Sequence, residues 1–330
     1  MNALRCFLAR LAVVSTVVCI AIGSSVNLHA QGTWTWQSPL PQGNNLQSVS
    51  FVDANIGTAV GSRGTILRTT NSGTTWIIQN SGTTTTFNAV DFPDANNGTA
   101  VGTAGVFHTT DGGETWTQQT GPTNYAGVSF SDANTGTIVG AGIYRTTDAG
   151  TTWTPQTNPS GQYLHEVSFV DANHGIAVGG LGTILRTTDG GANWTPGTSG
   201  TTSLLLGTFM VDVNIGYATG LQATIIKTTN GGVTWSPSQL PLTNNIIRSV
   251  SFVDASNGTV VGDYGFINHT TNGGATWVPQ SMGSTNYLFG VCFTNITTGT
   301  AVGEHGIIYR TTNGGTTWVP TVHGHAECTF

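Results

Sequence analysis

Residues 46–76 read LQSVSFVDANIGTAVGSRGTILRTTNSGTTW, and variants of this phrase fill most of the chain. Seven copies each end in a tryptophan, at intervals of 37 to 42 residues: Trp76, Trp116, Trp153, Trp194, Trp235, Trp277 and Trp318. A sequence repeat of about 40 residues is typical of a propeller with one four-stranded blade per repeat, or of a helical solenoid. Either architecture would contain seven units.

The text inside the repeat decides between strands and helices. In the first copy, three runs rich in β-branched and apolar residues (LQSVSFV, GTAVG and GTILRTT) are separated by the turn sequences DANIG and GSRG. A fourth short run follows each tryptophan, and no copy holds ten residues of helical period. We therefore predict an all-β fold over residues 31–322, a seven-bladed β-propeller of four-stranded antiparallel blades. The strands of each blade are named A to D in chain order.

The composition excludes several other classes of protein. Only 7% of the 330 residues are charged, against about 25% in an ordinary soluble domain. Lys and Arg number 9 against 15 Asp and Glu, which is the opposite of the basic surplus that a nucleic-acid binder needs. The hydrophobic share of 38%, with nine tryptophans, is too high for a disordered chain. We expect a globular β protein with no nucleic-acid partner, no metal and no cofactor.

The first thirty residues have the composition of a signal peptide. Arg5 and Arg10 form a basic start, residues 11–22 are an apolar run without Asp or Glu, and Ala30 is a small residue suited to cleavage. We predict removal of residues 1–30, a secreted or periplasmic location, and a monomer without a membrane span. Residues 323–330 form a C-terminal tail whose sequence does not match the repeat.

Two features near the chain ends bear on how the ring closes and on whether the cysteines form a disulfide. Residues 31–37, QGTWTWQ, match the text of a fourth strand, so we predict that residues 33–37 complete or edge the seventh blade. Cys292 and Cys328 remain after cleavage, and an exported protein allows one disulfide between them. A free, buried Cys292 is the alternative.

The order of antiparallel strands divides the connections between two faces of the propeller. The A–B and C–D turns lie on one face, which we name the motif face. The B–C turns and the D–A connections lie on the other, which we name the tip face.

The C–D turn has the spacing Thr-x-Asp/Asn-x-Gly-x-x-Trp in all seven copies. This spacing resembles the Asp-box, the bacterial-neuraminidase repeat found in sialidases and several other propeller families. An Asp or Asn side chain caps its own turn, the glycine supplies a left-handed backbone, and the tryptophan packs between blades. We therefore predict a structural role for the capping positions Asn71, Asp111, Asp148, Asp189, Asn230, Asn272 and Asn313.

The longer phrase, with GTAVG, GTILRTT and NGGTTW together, is similar to the propeller family of the photosystem II assembly and stability factor. The resemblance implies a seven-bladed propeller that acts as a chaperone-like scaffold for a membrane-protein assembly intermediate, without catalytic chemistry. It also implies an arginine-rich binding surface, but this chain holds only six Arg and one Lys after residue 30. We therefore expect an exported, non-catalytic scaffold with a protein or glycan partner, and a binding surface of different composition.

One position in strand C is basic or titratable in every copy: Arg68, His108, Arg145, Arg186, Lys227, His269 and Arg310. The A–B turn on the same face carries an acid in six copies and Asn295 in the seventh; the acids are Asp53, Asp94, Asp132, Asp171, Asp212 and Asp254. Ion pairing between the two sets is the favoured interpretation. A ring that binds an anionic partner is the alternative.

Candidate binding residues are expected where the repeat is broken, because the repeated positions are explained by packing. The B–C turns of blades two to five are bland, whereas those of blades six, seven and one are polar and adjacent around the ring. With neighbours from the D–A loop and strand A, they predict a polar crescent on the tip face: Arg63, Arg248, Asp263, Tyr264, Asn286, Tyr287, Glu304 and His305.

A second break lies in strand A of blade four. Strand A is innermost in a propeller, and the position of Glu166 is small in every other copy. We predict that Glu166 points into the central channel, where His165 tunes it, either as a ligand contact or as a solvated side chain.

Catalysis is the competing hypothesis. A sialidase-like site needs three separated arginines, and Arg63 and Arg248 are the ones outside the repeated basic position. A glycoside hydrolase could use Asp263 and Glu304 as its carboxylate pair, and a polysaccharide lyase could use His305 and Tyr264. No G-x-S-x-G, H-E-x-x-H or phosphate-binding motif occurs in the sequence.

Overall fold

Seven antiparallel sheets follow one another along the chain in the computed structural model, which describes residues 43–323 apart from residues 122, 239 and 241–243. Six sheets have four strands and the first has five, so the prediction of a seven-bladed propeller is confirmed. The strands are, blade by blade, β1 (Leu46–Phe51), β2 (Gly57–Gly61), β3 (Ile66–Thr69) and β4 (Thr75–Gln79); β5 (Phe87–Asp91), β6 (Gly98–Gly102), β7 (Gly105–Thr109) and β8 (Thr117–Gln118); β9 (Tyr125–Phe130), β10 (Gly136–Gly140), β11 (Ile143–Thr146) and β12 (Thr154–Gln156); β13 (Leu164–Phe169), β14 (Gly175–Gly179), β15 (Ile184–Thr187) and β16 (Thr195–Pro196); β17 (Leu205–Met210), β18 (Gly216–Gly220), β19 (Ile225–Thr228) and β20 (Ser236–Pro237); β21 (Ile247–Phe252), β22 (Gly258–Gly262), β23 (Ile267–Thr270) and β24 (Val278–Pro279); β25 (Leu288–Phe293), β26 (Gly299–Gly303), β27 (Ile308–Thr311) and β28 (Val319–Pro320); and finally β29 (Val322–His323).

Strand B is buried along its whole length in every blade, and its two glycines show why the GTAVG phrase recurs. A Cβ at Gly57 would lie 2.6 Å from the Phe51 ring of strand A. A Cβ at Gly61 would lie 1.9 Å from the backbone oxygen of Asn45. Glycine at these ends therefore lets strand A and its aromatic residue pack directly on strand B.

The hydrophobic core lies between neighbouring blades. Trp76 meets Phe51 of its own blade edge to face, with ring centroids 5.9 Å apart. Trp76 also packs against the last blade, because Leu67 and Trp76 of blade one share a cluster with Val302 and Ile308 of blade seven, and this contact closes the ring.

A backbone contact also joins the last blade to the first. Strand β29 pairs in parallel with β4, Val322 opposite Thr75, and becomes the fifth strand of the first sheet. An isolated parallel bridge between Thr198 and Thr234 joins blade four to blade five at the equivalent positions. The fourth strand of blade seven, β28, comes from its own repeat, while residues 33–37 lie outside the described residues and their part in closure stays a prediction.

Cys292 lies in strand A of blade seven and is free among the described residues. Burial raises the pKa of its thiol to about 11. Cys328 lies outside the described part of the chain, so the disulfide alternative stays a prediction. Within residues 43–323, with their gaps, we find no helix with the length and apolarity to cross a membrane.

Candidate binding surface around the channel mouth

The repeated basic residues tie neighbouring blades together through backbone carbonyls. Arg145 Nε donates to the oxygen of Gly190 at 2.6 Å, and Lys227 Nζ donates to that of Gly273 at 2.8 Å. Equivalent bonds to the next blade are made by Arg68, Arg186 and Arg310. The two histidines of the set, His108 and His269, instead bond the hydroxyls of Thr99 and Thr259 within their own blades.

The acids of the A–B turns do not pair with this ring. Asp53 Oδ1 accepts the backbone N–H groups of Asn55 and Ile56 at 2.6 and 2.8 Å, and these bonds lower its pKa. The predicted ion pairs are therefore wrong, because each aspartate caps its own turn and each long base reaches the next blade. The five Arg and Lys side chains of this set already donate to backbone oxygens of the next blade, which disfavours anion binding by the ring.

The C–D turns behave as the spacing predicts. Asp111 accepts the backbone N–H of Thr115 at 2.9 Å and the hydroxyls of Thr115 and Thr109 at 2.6 and 2.7 Å. These hydrogen bonds lower its pKa to about 2. All seven capping positions accept the backbone N–H four residues later: Asn71, Asp111, Asp148, Asp189, Asn230, Asn272 and Asn313.

On the tip face, Arg248 and Asp263 form one unit. The Arg248 guanidinium bonds both carboxylate oxygens of Asp263, with Nη2 at 3.2 Å from Oδ2, and Asp263 is only 4% exposed. The guanidinium also lies over the Phe289 ring, 5.0 Å from its centroid. Arg248 is thus held rigidly, and its charge is compensated.

Two tyrosines lie beside this pair. The rings of Tyr264 and Tyr287 meet edge to face with centroids 4.9 Å apart, and Tyr264 is 65% exposed. A hydrogen bond with Tyr264 raises the pKa of Tyr287 to about 12, with further contributions from Asp263 and Glu304. Glu304 Oε2 accepts the backbone N–H of Tyr287 at 3.0 Å. The structure therefore brings Tyr264, Tyr287, Asp263 and Glu304 together.

The remaining crescent residues stand at the exposed tips. The backbone N–H of His305 donates to Asn45 Oδ1 at 3.0 Å, which joins blade seven to blade one on this face. Arg63 is exposed and forms no ion pair with any described residue. The crescent is thus continuous from blade six to blade seven, while Arg63 stands apart as a solvated cation.

Five B–C tips hold a bulky residue in the left-handed backbone region, with φ between 52 and 58°: Arg63, Leu181, Gln222, Tyr264 and His305. Such a conformation costs of order 1–3 kcal/mol for a residue other than glycine. The four tips that form a 3-10 turn span Ser62–Gly64, Gly180–Gly182, Asp263–Gly265 and Glu304–Gly306. In each of these four tips a glycine follows the bulky residue, and the bulky side chain is exposed.

Strand A carries a β-bulge at its second residue in every blade. The register skips this residue in each pairing with strand B, as at Gln47 between Leu46 and Ser48. Bulges redirect side chains and are common at the rims of binding sites. The seven bulged residues form a ring at the channel mouth: Gln47, Asn88, Ala126, His165, Leu206, Arg248 and Phe289.

Glu166 is the next residue after His165 in strand β13, and it lines two adjoining cavities. The outer cavity, of about 300 Å³, contains the mouth ring and Tyr163, and the inner one, of about 220 Å³, extends along strand A of all seven blades. Oε1 accepts the N–H of Val167 at 3.0 Å. Burial raises the pKa of Glu166 to about 8, and the negative charge of Asp91 contributes. Burial also lowers the pKa of His165.

Sequence reasoning missed Asp91, the second carboxyl group in the channel. It accepts the backbone N–H groups of Phe92 and Phe130 at 2.9 and 2.7 Å, and burial still raises its pKa to about 6. In blades one, three, four and six the equivalent position is serine. Asp91 therefore breaks the repeat as clearly as Glu166 does, and the same comparison of repeats could have found it.

Solved structures of other proteins share the fold of this chain. No curated protein matches the chain. Among solved structures, it is similar to YCF48 bound to a D1 peptide, with a TM-score of 0.69 and 21% identity over 83% of this chain and 93% of that one. It is also similar to YCF48 from Cyanidioschyzon merolae, with a TM-score of 0.68 and 21% identity over 83% and 97% of the two chains.

A GH74 xyloglucanase from Xanthomonas campestris shares the fold with a TM-score of 0.66, at 13% identity over 84% of this chain and 54% of that enzyme. Identities this low establish the fold alone. The family comparison goes further, because the profile described as photosynthesis system II assembly factor YCF48 matches residues 27–161 and 198–328. With most of its length matched, the chain belongs to the photosynthesis system II assembly factor YCF48 family.

Proposed function

We propose that this propeller is an exported, non-catalytic scaffold that holds a segment of a protein partner on its tip face. The observation that carries the proposal is the Tyr264–Tyr287 pair at the tip face of blades six and seven, where Tyr264 and His305 are exposed and hold a left-handed backbone. Backbone strain persists where the surrounding structure enforces it, and it concentrates at functional sites. Rigid aromatic side chains are also the ones that contribute most at protein interfaces.

The family supports a scaffold role. A YCF48 structure holds a D1 peptide, so a member of this family does bind a peptide. The identity of 21% does not carry the D1 peptide itself over to this chain. The proposal is therefore a protein segment of other origin, bound by a crescent that depends less on arginine.

Export, the Asp-box assignment and the monomeric state are part of the same proposal. Residues 1–30 would direct secretion, with cleavage after Ala30, and the turn-capping geometry of Asp111 supports an Asp-box role for the C–D turns. Mass spectrometry of the N-terminus of the mature protein, together with light scattering, tests these points. A retained N-terminus, or a dimer at low concentration, would contradict them.

A carbohydrate-active enzyme is the second candidate, favoured by the Tyr264–Tyr287 pair, in which Tyr264 is exposed; a GH74 enzyme shares the fold. Its weak point is the carboxylate pair. Both oxygens of Asp263 are bonded to Arg248, and Glu304 accepts the backbone N–H of Tyr287. A glycosidase needs one carboxyl as acid and the other as base or nucleophile, so the scaffold is the better-supported function.

Site-specific cross-linking tests the proposal. A photoreactive phenylalanine analogue placed at Tyr264 should capture a defined partner in the native envelope. The same analogue at Ile296, which is 57% exposed on the motif face, is the matched control. Capture at both positions or at neither would contradict tip-face binding, and hydrolysis of xyloglucan that is lost in Asp263→Ala/Glu304→Ala would establish the enzyme instead.

A further inference from the structure

The channel mouth is a built cavity with an acidic group inside it. Glu166 lies where the outer and inner cavities meet, and Tyr163 and Phe289 contribute aromatic side chains to the outer one. One carboxylate oxygen is bonded to the N–H of Val167. The other oxygen, Oε2, has no hydrogen-bond partner among the described residues, and Glu166 lines both cavities.

The charge of Glu166 depends on the other titratable groups that line this space: Asp91, Tyr163, His165, Arg248 and Cys292. Arg248 is paired with Asp263 and does not reach Glu166. Burial lowers the pKa of His165 and raises that of Cys292, so both groups are neutral at neutral pH. Asp91 adds negative charge, and the uncompensated electrostatics of the channel therefore favour a cation.

We infer that this cavity receives the side chain of a lysine from the partner segment held on the tip face, with its ammonium group bonded to Glu166. The inference rests on the proposed function and names the chemistry that the channel selects. A lysine side chain has a flexible apolar stem and a compact charge, which suit a narrow mouth with aromatic walls and one available carboxylate oxygen. The described residues contain no group of three His, Cys, Asp or Glu placed to hold a metal ion.

Gly127 of the neighbouring blade leaves space for the carboxyl group of Glu166. A Cβ at Gly127 of blade three would lie 2.9 Å from Glu166 Oε1 and 2.9 Å from its Cα. The other residues at this level of the channel are also small, so the carboxyl extends into the opening without meeting a large side chain: Ser48, Ala89, Gly207, Ser249 and Gly290.

Ammonium binding must displace the proton that Glu166 carries below its pKa of about 8. Affinity should therefore fall about tenfold for each pH unit below that value. Above it the dependence flattens, until lysine loses its own charge near pH 10.

The test uses a Ser/Gly decapeptide with one central lysine as the probe, titrated against the full mature protein at pH 6, 7, 8 and 9. The same peptide with acetyl-lysine should bind at least tenfold more weakly. Glu166→Gln should lose the binding and its pH dependence, whereas Glu114→Gln, an exposed acid on the motif face, should behave as the wild type. Thermal unfolding of both variants verifies their fold.

Three results would overturn the inference: no binding of the lysine peptide, equal binding of the acetylated peptide, or unchanged binding to Glu166→Gln. Methylammonium chloride is the last arm, and displacement of the peptide by methylammonium at equal concentration would also contradict the inference, because the site would then take a free amine. Cross-links retained at Tyr264 alongside a failed lysine test would contradict this inference alone. Failure of the Tyr264 cross-links would contradict the proposed function.

Discussion

Burial determines the ionisation of the two carboxyl groups in the channel. The pKa of Glu166 rises from 4.5 to about 8, and that of Asp91 rises from 3.8 to about 6, although each accepts backbone hydrogen bonds that act in the opposite direction. Desolvation therefore outweighs hydrogen bonding at both sites. Holding two acids in this environment lowers stability, which is what a site kept for binding would show.

Glu166→Gln should stabilise the protein at alkaline pH. Between pH 4.5 and about 8 the unfolded chain ionises Glu166 while the folded chain keeps it protonated, so the free energy of unfolding of the wild type falls as pH rises. Glutamine removes this loss, which amounts to roughly 5 kcal/mol at pH 9, because one unit of pKa difference corresponds to about 1.4 kcal/mol. Urea unfolding at pH 5 and 9 measures the difference. A gap between the two proteins that does not widen with pH, or the same gap for Glu114→Gln, would refute the explanation.

At the level of single turns and strands, the sequence predicts an element well when its contacts are local and poorly when they come from distant residues. The C–D turn could be predicted in full because all of its bonds lie within the interval from Thr109 to Thr115. The bulge at His165 could not, since it depends on the pairing of β13 with β14 and no residue type marks it. The partners of the basic ring were predicted wrongly, because Arg145 bonds Gly190, which lies 45 residues away in the next blade.

Aspartate and asparagine turns should differ in their response to acid. Asp111 has its pKa lowered to about 2 from 3.8, so its contribution to stability is complete above pH 3.8 and is lost as pH falls through 2. Asp111→Asn should keep the turn, because Asn71 Oδ1 also accepts the N–H of Thr75 while its Nδ2 donates to the Thr75 hydroxyl, and it should remove this pH dependence. Asp111→Ala should cost about 1 kcal/mol at pH 7. Thermal unfolding from pH 2 to pH 7 distinguishes the variants, and an acid response in Asp111→Asn equal to that of the wild type would contradict the assignment.

The whole molecule depends on contacts between blades, since each hydrophobic cluster spans two of them. The number of blades follows from counting tryptophans, but the channel does not, because it exists only once seven strands A surround it. Glu166 could be identified from its repeat position, whereas its pKa depends on burial inside the assembled channel and, to a smaller extent, on Asp91 two blades away. A site built across repeats is therefore less predictable than the repeat itself.

Closure of the ring provides the last prediction. Strand β29 pairs with β4 at Thr75 and Trp76, so removal of residues 322–330 takes away the backbone link between blades seven and one. The shared cluster of Leu67, Trp76, Val302 and Ile308 should keep the ring folded. Amide hydrogen exchange in β4 should then accelerate while exchange in β12 of blade three stays unchanged, because that blade keeps both neighbours. Deletion of residues 31–37 is the parallel variant: faster exchange in blade seven would support a closing role for that segment, and unchanged exchange there would contradict it.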